Sequence, residues 1–154
     1  MASVIINTFE SYMAMICNSV RGEMHLFRNV IATVDGEKKD ILRDGALSCG
    51  FFASGILYLN KLIGDMHTGV AGLERDLAAS GWHQILEVRE GAVLVWEARQ
   101  GASGGLHAHV GFSLGNGRAI SNGSNTALVP EEHDETYDGT RAIDRIWWNA
   151  KLEQ

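Results

Sequence analysis

Two cysteines and six histidines are the side chains of this 154-residue chain best suited to covalent or metal chemistry. Cys49 stands at the head of SCGFFASGILYLNKLI, a segment that reads as a largely buried helix, with Ser48 as N-cap and Gly64 just past its end. A thiol there meets unsatisfied first-turn amides and the positive end of the helix dipole. Both favour a thiolate, and an adjacent amide is ready to hold an oxyanion. Helix position alone fits a small buried residue equally well, so a nucleophile at Cys49 needs a base. Cys17 lies beside an apolar stripe and reads as a core thiol.

The base is sought in HAHVGFSLGNGRAISN, where His107 and His109 share one face of a strand. The chain turns at Gly115-Asn116-Gly117, and antiparallel return places His109 opposite a position between Ser121 and Ser124. Ser121, Asn122 or Ser124 could fix the second ring nitrogen, and a one-residue change of register decides which. The same two histidines could instead begin a zinc site, with a third ligand from the run Glu131-Glu132-His133-Asp134-Glu135. That run reads first as a solvated loop after Pro130. His67 reads as a surface or capping residue, and Trp82 and Trp96 as packing.

The elements that must position these groups change character along the chain. Phe9, Tyr12, Met13, Ile16 and Val20 recur at helical spacing and predict an amphipathic first helix. NVIATV, Asp35-Gly36 and EKKDIL predict a hairpin, and Arg43-Asp44-Gly45 a further turn. In the Cys49 helix the stripe is Phe52, Ile56, Leu59 and Ile63. A third helix is expected after Thr68 as N-cap, stopping at Gly81. Beyond Trp82 come strands: VLVWEA, HAHVGFSL, RAISN, TALV and a closing AIDRIWW, in which Trp147 and Trp148 face opposite ways. Helices first and an antiparallel sheet second predict α+β in one domain, residues 1–154.

Composition narrows the function classes. The formal charge of -6, with scattered basic residues, argues against a nucleic-acid surface. No apolar run is long enough to span a bilayer, and the start lacks the pattern of a secretory signal. The chain is therefore expected to be cytoplasmic as synthesised and to reach any external substrate by a non-classical route. Two cysteines make no disulfide framework, and nothing calls for a cofactor.

SCGFF opening a helix, GAVLVWEA, and then HVGFSLGNGRAIS resemble the NlpC-type and CHAP-type papain-like hydrolases of bacterial cell-wall turnover. The resemblance covers roughly residues 44–125. It implies a papain-like fold with residues 46–154 as catalytic core and 1–45 as an N-terminal extension. It further implies Cys49 as nucleophile, His109 as base, and a third polar residue at Ser121, with Asn122 one position away. The family more often has histidine at the Ser121 position, and its tyrosine and paired glycines upstream of the cysteine are replaced here by ILRDGAL. The implied substrate is a peptide or peptidoglycan fragment cleaved at an amide bond. A secreted effector of this type would have a cognate inhibitor protein. An acyltransferase, a non-catalytic binding module and a metal hydrolase using His107 and His109 are the alternatives.

Overall fold

The computed structural model describes residues 1–101, 104–124 and 126–154. Helix α1 (Thr8–Asn18) buries Tyr12, Met13 and Ile16, as its stripe requires. Cys17 is exposed and not a core thiol: one residue beyond Ile16, it points off the buried face. Strands β1 (Ile31–Val34) and β2 (Glu37–Asp40) form the expected hairpin, with Asp35 and Gly36 both at positive φ in the turn.

Helix α2 (Cys49–Leu59) begins where expected and ends four residues short of Ile63. Lys61 takes a left-handed conformation (φ 57°), the Leu62 amide donates to the Leu57 carbonyl and the Lys61 amide to Tyr58. Those paired bonds are a Schellman stop without glycine. Leu59 is consequently exposed, and the buried face runs through Phe52, Ala53, Ile56 and Leu57. Ser48 occupies the N-cap position, but its hydroxyl donates to the Arg28 carbonyl and caps nothing. Helix α3 (Val70–Ala79) starts one residue later than expected, with Gly69 as N-cap, and buries Leu73 and Leu77.

The second half is a six-stranded antiparallel sheet in the order β3-β8-β4-β5-β6-β7. Its strands are β3 (His83–Ile85), β4 (Val93–Gln100), β5 (Leu106–Gly115), β6 (Arg118–Asn122), β7 (Pro130–Asp134) and β8 (Ile143–Trp148). With its helices packed mainly against one sheet, the chain is α+β. Phe112 of β5 marks the centre of the core, meeting Tyr12 and Phe52 edge-on at 5.7 Å each. The N-terminal residues share this core, and the Tyr12 hydroxyl donates to the Gly91 carbonyl at 2.9 Å.

Two expectations about the sheet change. Residues 126–129 (TALV) bend instead of forming a strand, and the acidic run that follows is the edge strand β7, not a solvated loop. Pro130 can open an edge strand because its missing N–H need not face a neighbour, and charged side chains are tolerated on such an edge. Trp147 and Trp148 are both buried, Trp148 beneath the Arg89 guanidinium at 3.7 Å. Among the described residues no helix is long and apolar enough to cross a membrane.

Candidate active site

The packing of α2 on β5 and β6 puts the helix head against the histidine strand. Cys49 is buried, and the main-chain amides of Val110, Gly50 and Cys49 itself favour its ionised form. Val110 directly follows His109 in β5, and Cys49 and His109 line the same cleft. Its volume is about 810 Å³, within the size range of small-molecule and peptide sites.

Burial dominates the electrostatics of the pair. It pushes the Cys49 thiol up, against the pull of the three amides and of the Arg141 charge. Dipole and amides at the helix head therefore do not by themselves make a resting thiolate, contrary to expectation. Burial likewise drives His109 down to about 3, with Arg141 and His133 adding to the effect. Near neutral pH the resting pair is thiol and imidazole.

Ser121 is the hub behind His109. Its hydroxyl oxygen lies 2.8 Å from His109 Nε2, 2.7 Å from His133 Nε2 and 3.0 Å from the Tyr137 hydroxyl. The donors follow from the ends of this chain of bonds. His133 Nδ1 sits 2.7 Å from the Asp134 carbonyl, which can only accept, so Nδ1 carries the proton. Burial keeps His133 neutral, which leaves its Nε2 bare to accept the Ser121 proton. The serine oxygen then accepts from His109 Nε2–H and from Tyr137, a phenol raised by burial to about 12. His109 is thereby fixed as the Nε2–H tautomer, with Nδ1 bare.

Sheet geometry makes this serine available. Ser121 pairs directly with Gly111 and reaches His109 diagonally. A Cβ at Gly111 would collide with the Ile120 carbonyl and come within 2.7 Å of Ser121 Cβ. Glycine in HVG thus leaves room for the orienting side chain. Asn122, the other candidate, faces away: its side-chain amide donates to the Gly45 carbonyl at 3.0 Å and is buried there. It ties β6 to the loop before Cys49, where Gly45 (φ 97°) passes so close to the Leu128 carbonyl that a side chain would clash. Ser124 lines the cleft. His107 is exposed and 3.0 Å from the Gly104 carbonyl, at the cleft mouth.

Tyr137 and Arg141 escaped sequence reading, and His133 was read there only within the run that could supply a third zinc ligand. His133 and Ser121 lie on one face of adjacent strands because β7 pairs with β6 in the register Ser121↔Glu131. Tyr137 stacks on His133 at 4.1 Å. Trp96, read as packing, is fully buried and also backs the His109 ring at 5.4 Å, its indole N–H donating to the Glu135 carbonyl. No group of three or more His, Cys, Asp or Glu among the described residues is arranged to hold a metal ion. His67, read as surface, is half-buried with Nε2 2.6 Å from Asp76, and anchors the α2–α3 connection.

The chain matches no family model and no curated protein.

Proposed function

We propose that this chain is a papain-like cysteine amide hydrolase with Cys49 as nucleophile and His109 as general base and acid. The observation that carries the reading is the junction of α2 and β5. There a buried thiol at a helix head shares an 810 Å³ cleft with a neutral histidine whose Nε2 is engaged by Ser121. A histidine held this way offers one bare nitrogen of fixed orientation to accept the thiol proton as sulfur attacks.

In the proposed reaction His109 Nδ1 takes the Cys49 proton as sulfur attacks the carbonyl carbon. The carbonyl oxygen gains the negative charge and is held by the Cys49 amide at the start of α2. The imidazolium returns its proton to the leaving nitrogen as the C–N bond breaks, giving a free amine and a thioester. His109 then removes a proton from water, whose oxygen attacks the thioester, releasing a carboxylic acid and restoring the thiol. Ser121 acts as the orienting residue, in turn held by His133 and Tyr137.

The substrate class rests on the resemblance of SCGFF and HVGFSLGNGRAIS to NlpC- and CHAP-type domains: a peptide amide of peptidoglycan or the muramoyl–alanine amide. Purified murein incubated with the protein should release new amino and carboxyl termini, and Cys49→Ala should release none while melting as the parent does. Undiminished release by that variant would end the proposal.

A further inference from the structure

Arg141 is a second feature of the cleft, and the three roles just described do not use it. It lies between β7 and β8, lines the same cleft as Cys49 and His109, and is half-buried. Its position is rigidly determined. Strand β4 slips register against β5 between Trp96 and Arg99, and against β8 between Val95 and Trp96. The carbonyl of Glu97, at this irregularity, accepts from Arg141 Nε at 3.1 Å and from Nη2 at 2.8 Å. Nη2 also donates to the His107 carbonyl at 3.2 Å. Of the five N–H bonds of a guanidinium, three are thus spent on carbonyls, and both on Nη1 have no partner among the described residues.

No carboxylate among the described residues pairs with this cation. Glu97, whose carbonyl holds Arg141, directs its carboxylate to Arg99 at 2.9 Å and to the Ala142 amide at 3.3 Å. Glu131, the acid lining the cleft, is bonded by the Thr126 hydroxyl. The half-buried guanidinium loses hydration and feels the Glu97 charge without a direct ion pair, an arrangement that an anionic ligand would relieve. Its free edge carries the two N–H donors of Nη1, either of which can hold a carboxylate oxygen. Arg141 and Cys49 line the same cleft, so an anion held there would share it with the nucleophile.

We infer that Arg141 is a carboxylate-binding residue of the cleft, and that the substrate presented to Cys49 carries a free carboxylate near the scissile amide. This deepens the reading of the cleft as a hydrolase site and names its substrate class as an acidic or C-terminally free peptide.

Two alkylating reagents of nearly equal size test it. Iodoacetate is anionic and iodoacetamide neutral, and exposed Cys17 serves as an internal reference in the same molecule. The ratio of iodoacetate to iodoacetamide rates cancels the thiolate fraction at each site. At Cys49 that ratio should exceed the Cys17 ratio by roughly tenfold at low ionic strength and shrink with salt. Arg141→Gln should bring it down to the Cys17 value, and Arg141→Lys should keep much of it. Equal ratios at both cysteines, or a ratio unchanged in Arg141→Gln, would overturn the inference.

A second measurement needs no reactive thiol. N-acetyl-alanine titrated into ¹⁵N-labelled protein should give saturable shifts at the amides of His107 and Ala142 that N-acetyl-alaninamide does not give. Loss of those shifts in Arg141→Gln is expected, and equal response to both ligands, or none, would refute it. Saturable carboxylate binding beside an inert Cys49 would uphold the inference and sink the hydrolase reading.

Discussion

Replacing Ser121 by alanine removes one oxygen and disconnects three side chains. Ser121 is fully buried and His109 nearly so, so the His109 Nε2–H would be left without an acceptor in a place water does not reach. Such an orphaned buried donor costs about 1–3 kcal/mol. His133 and Tyr137 are half-buried and can turn to solvent, so their share is smaller. For a chain of this size about 1 kcal/mol corresponds to roughly 2–4 °C in Tm, and a fall of roughly 3–10 °C is expected by calorimetry. The effect on chemistry should be larger. With Ser121 gone, nothing selects the Nε2–H tautomer or holds the ring edge, and a nucleophile–base misalignment of about 1 Å costs on the order of 100-fold. The expectation is a kcat/KM lowered by roughly 10- to 100-fold, carried in kcat. In ¹⁵N spectra, His109 should change from one defined tautomer to a mixture. A Ser121→Ala protein with parental turnover and an unchanged His109 spectrum would refute the hub argument, whatever its melting temperature.

The pH dependence of stability follows from His109. Folding lowers its pKa from 6.5 to about 3, so between those values the unfolded chain binds the extra proton. Stability should therefore be complete above about pH 6.5 and fall as pH drops toward 3, by as much as about 1.4 kcal/mol per pH unit from this residue. His133, lowered in the same direction, adds to the slope. Denaturant titrations of His109→Gln across that window should show a clearly shallower slope; a slope equal to the parent's would contradict the burial argument. Gly111→Ala should cost about 1–3 kcal/mol by overpacking against Ile120 and Ser121, and should lower turnover by more than an equally destabilising core variant such as Leu73→Ala. Equal turnover in those two variants would remove the special role given to that glycine.

Local chemistry explains which parts were legible in the sequence. The hairpin at Asp35-Gly36 and the strand turn at Gly115-Asn116-Gly117 were readable because turn residues declare their own backbone. The head of α2 was readable, whereas its end was not. Lys61 in a left-handed conformation leaves no glycine or asparagine signal at that position, and the apolar run continues through Leu62 and Ile63. Strand β7 was misread because Glu131, Glu132 and Asp134 look solvated, and solvation is compatible with an edge strand. Its pairing with β6 is a long-range fact that local patterning does not carry, and with it went His133. The choice between Ser121 and Asn122 turned on one residue of register, fixed by the pairing of Gly111 with Ser121. Arg141 was invisible because its importance lies in three carbonyl bonds around a strand irregularity.

The central claim is that Cys49 is a nucleophile activated by His109, and it can be tested by acylation of the two thiols in one molecule. Cys17 is exposed and Cys49 buried, so accessibility alone favours Cys17. Brief exposure to p-nitrophenyl acetate at neutral pH, followed by peptide mass mapping, reads both sites at once. The expected result is a single acetyl thioester on Cys49, formed ahead of any on Cys17 and lost in His109→Gln. Acylation of Cys17 first, or of Cys49 at the same rate without His109, would contradict it.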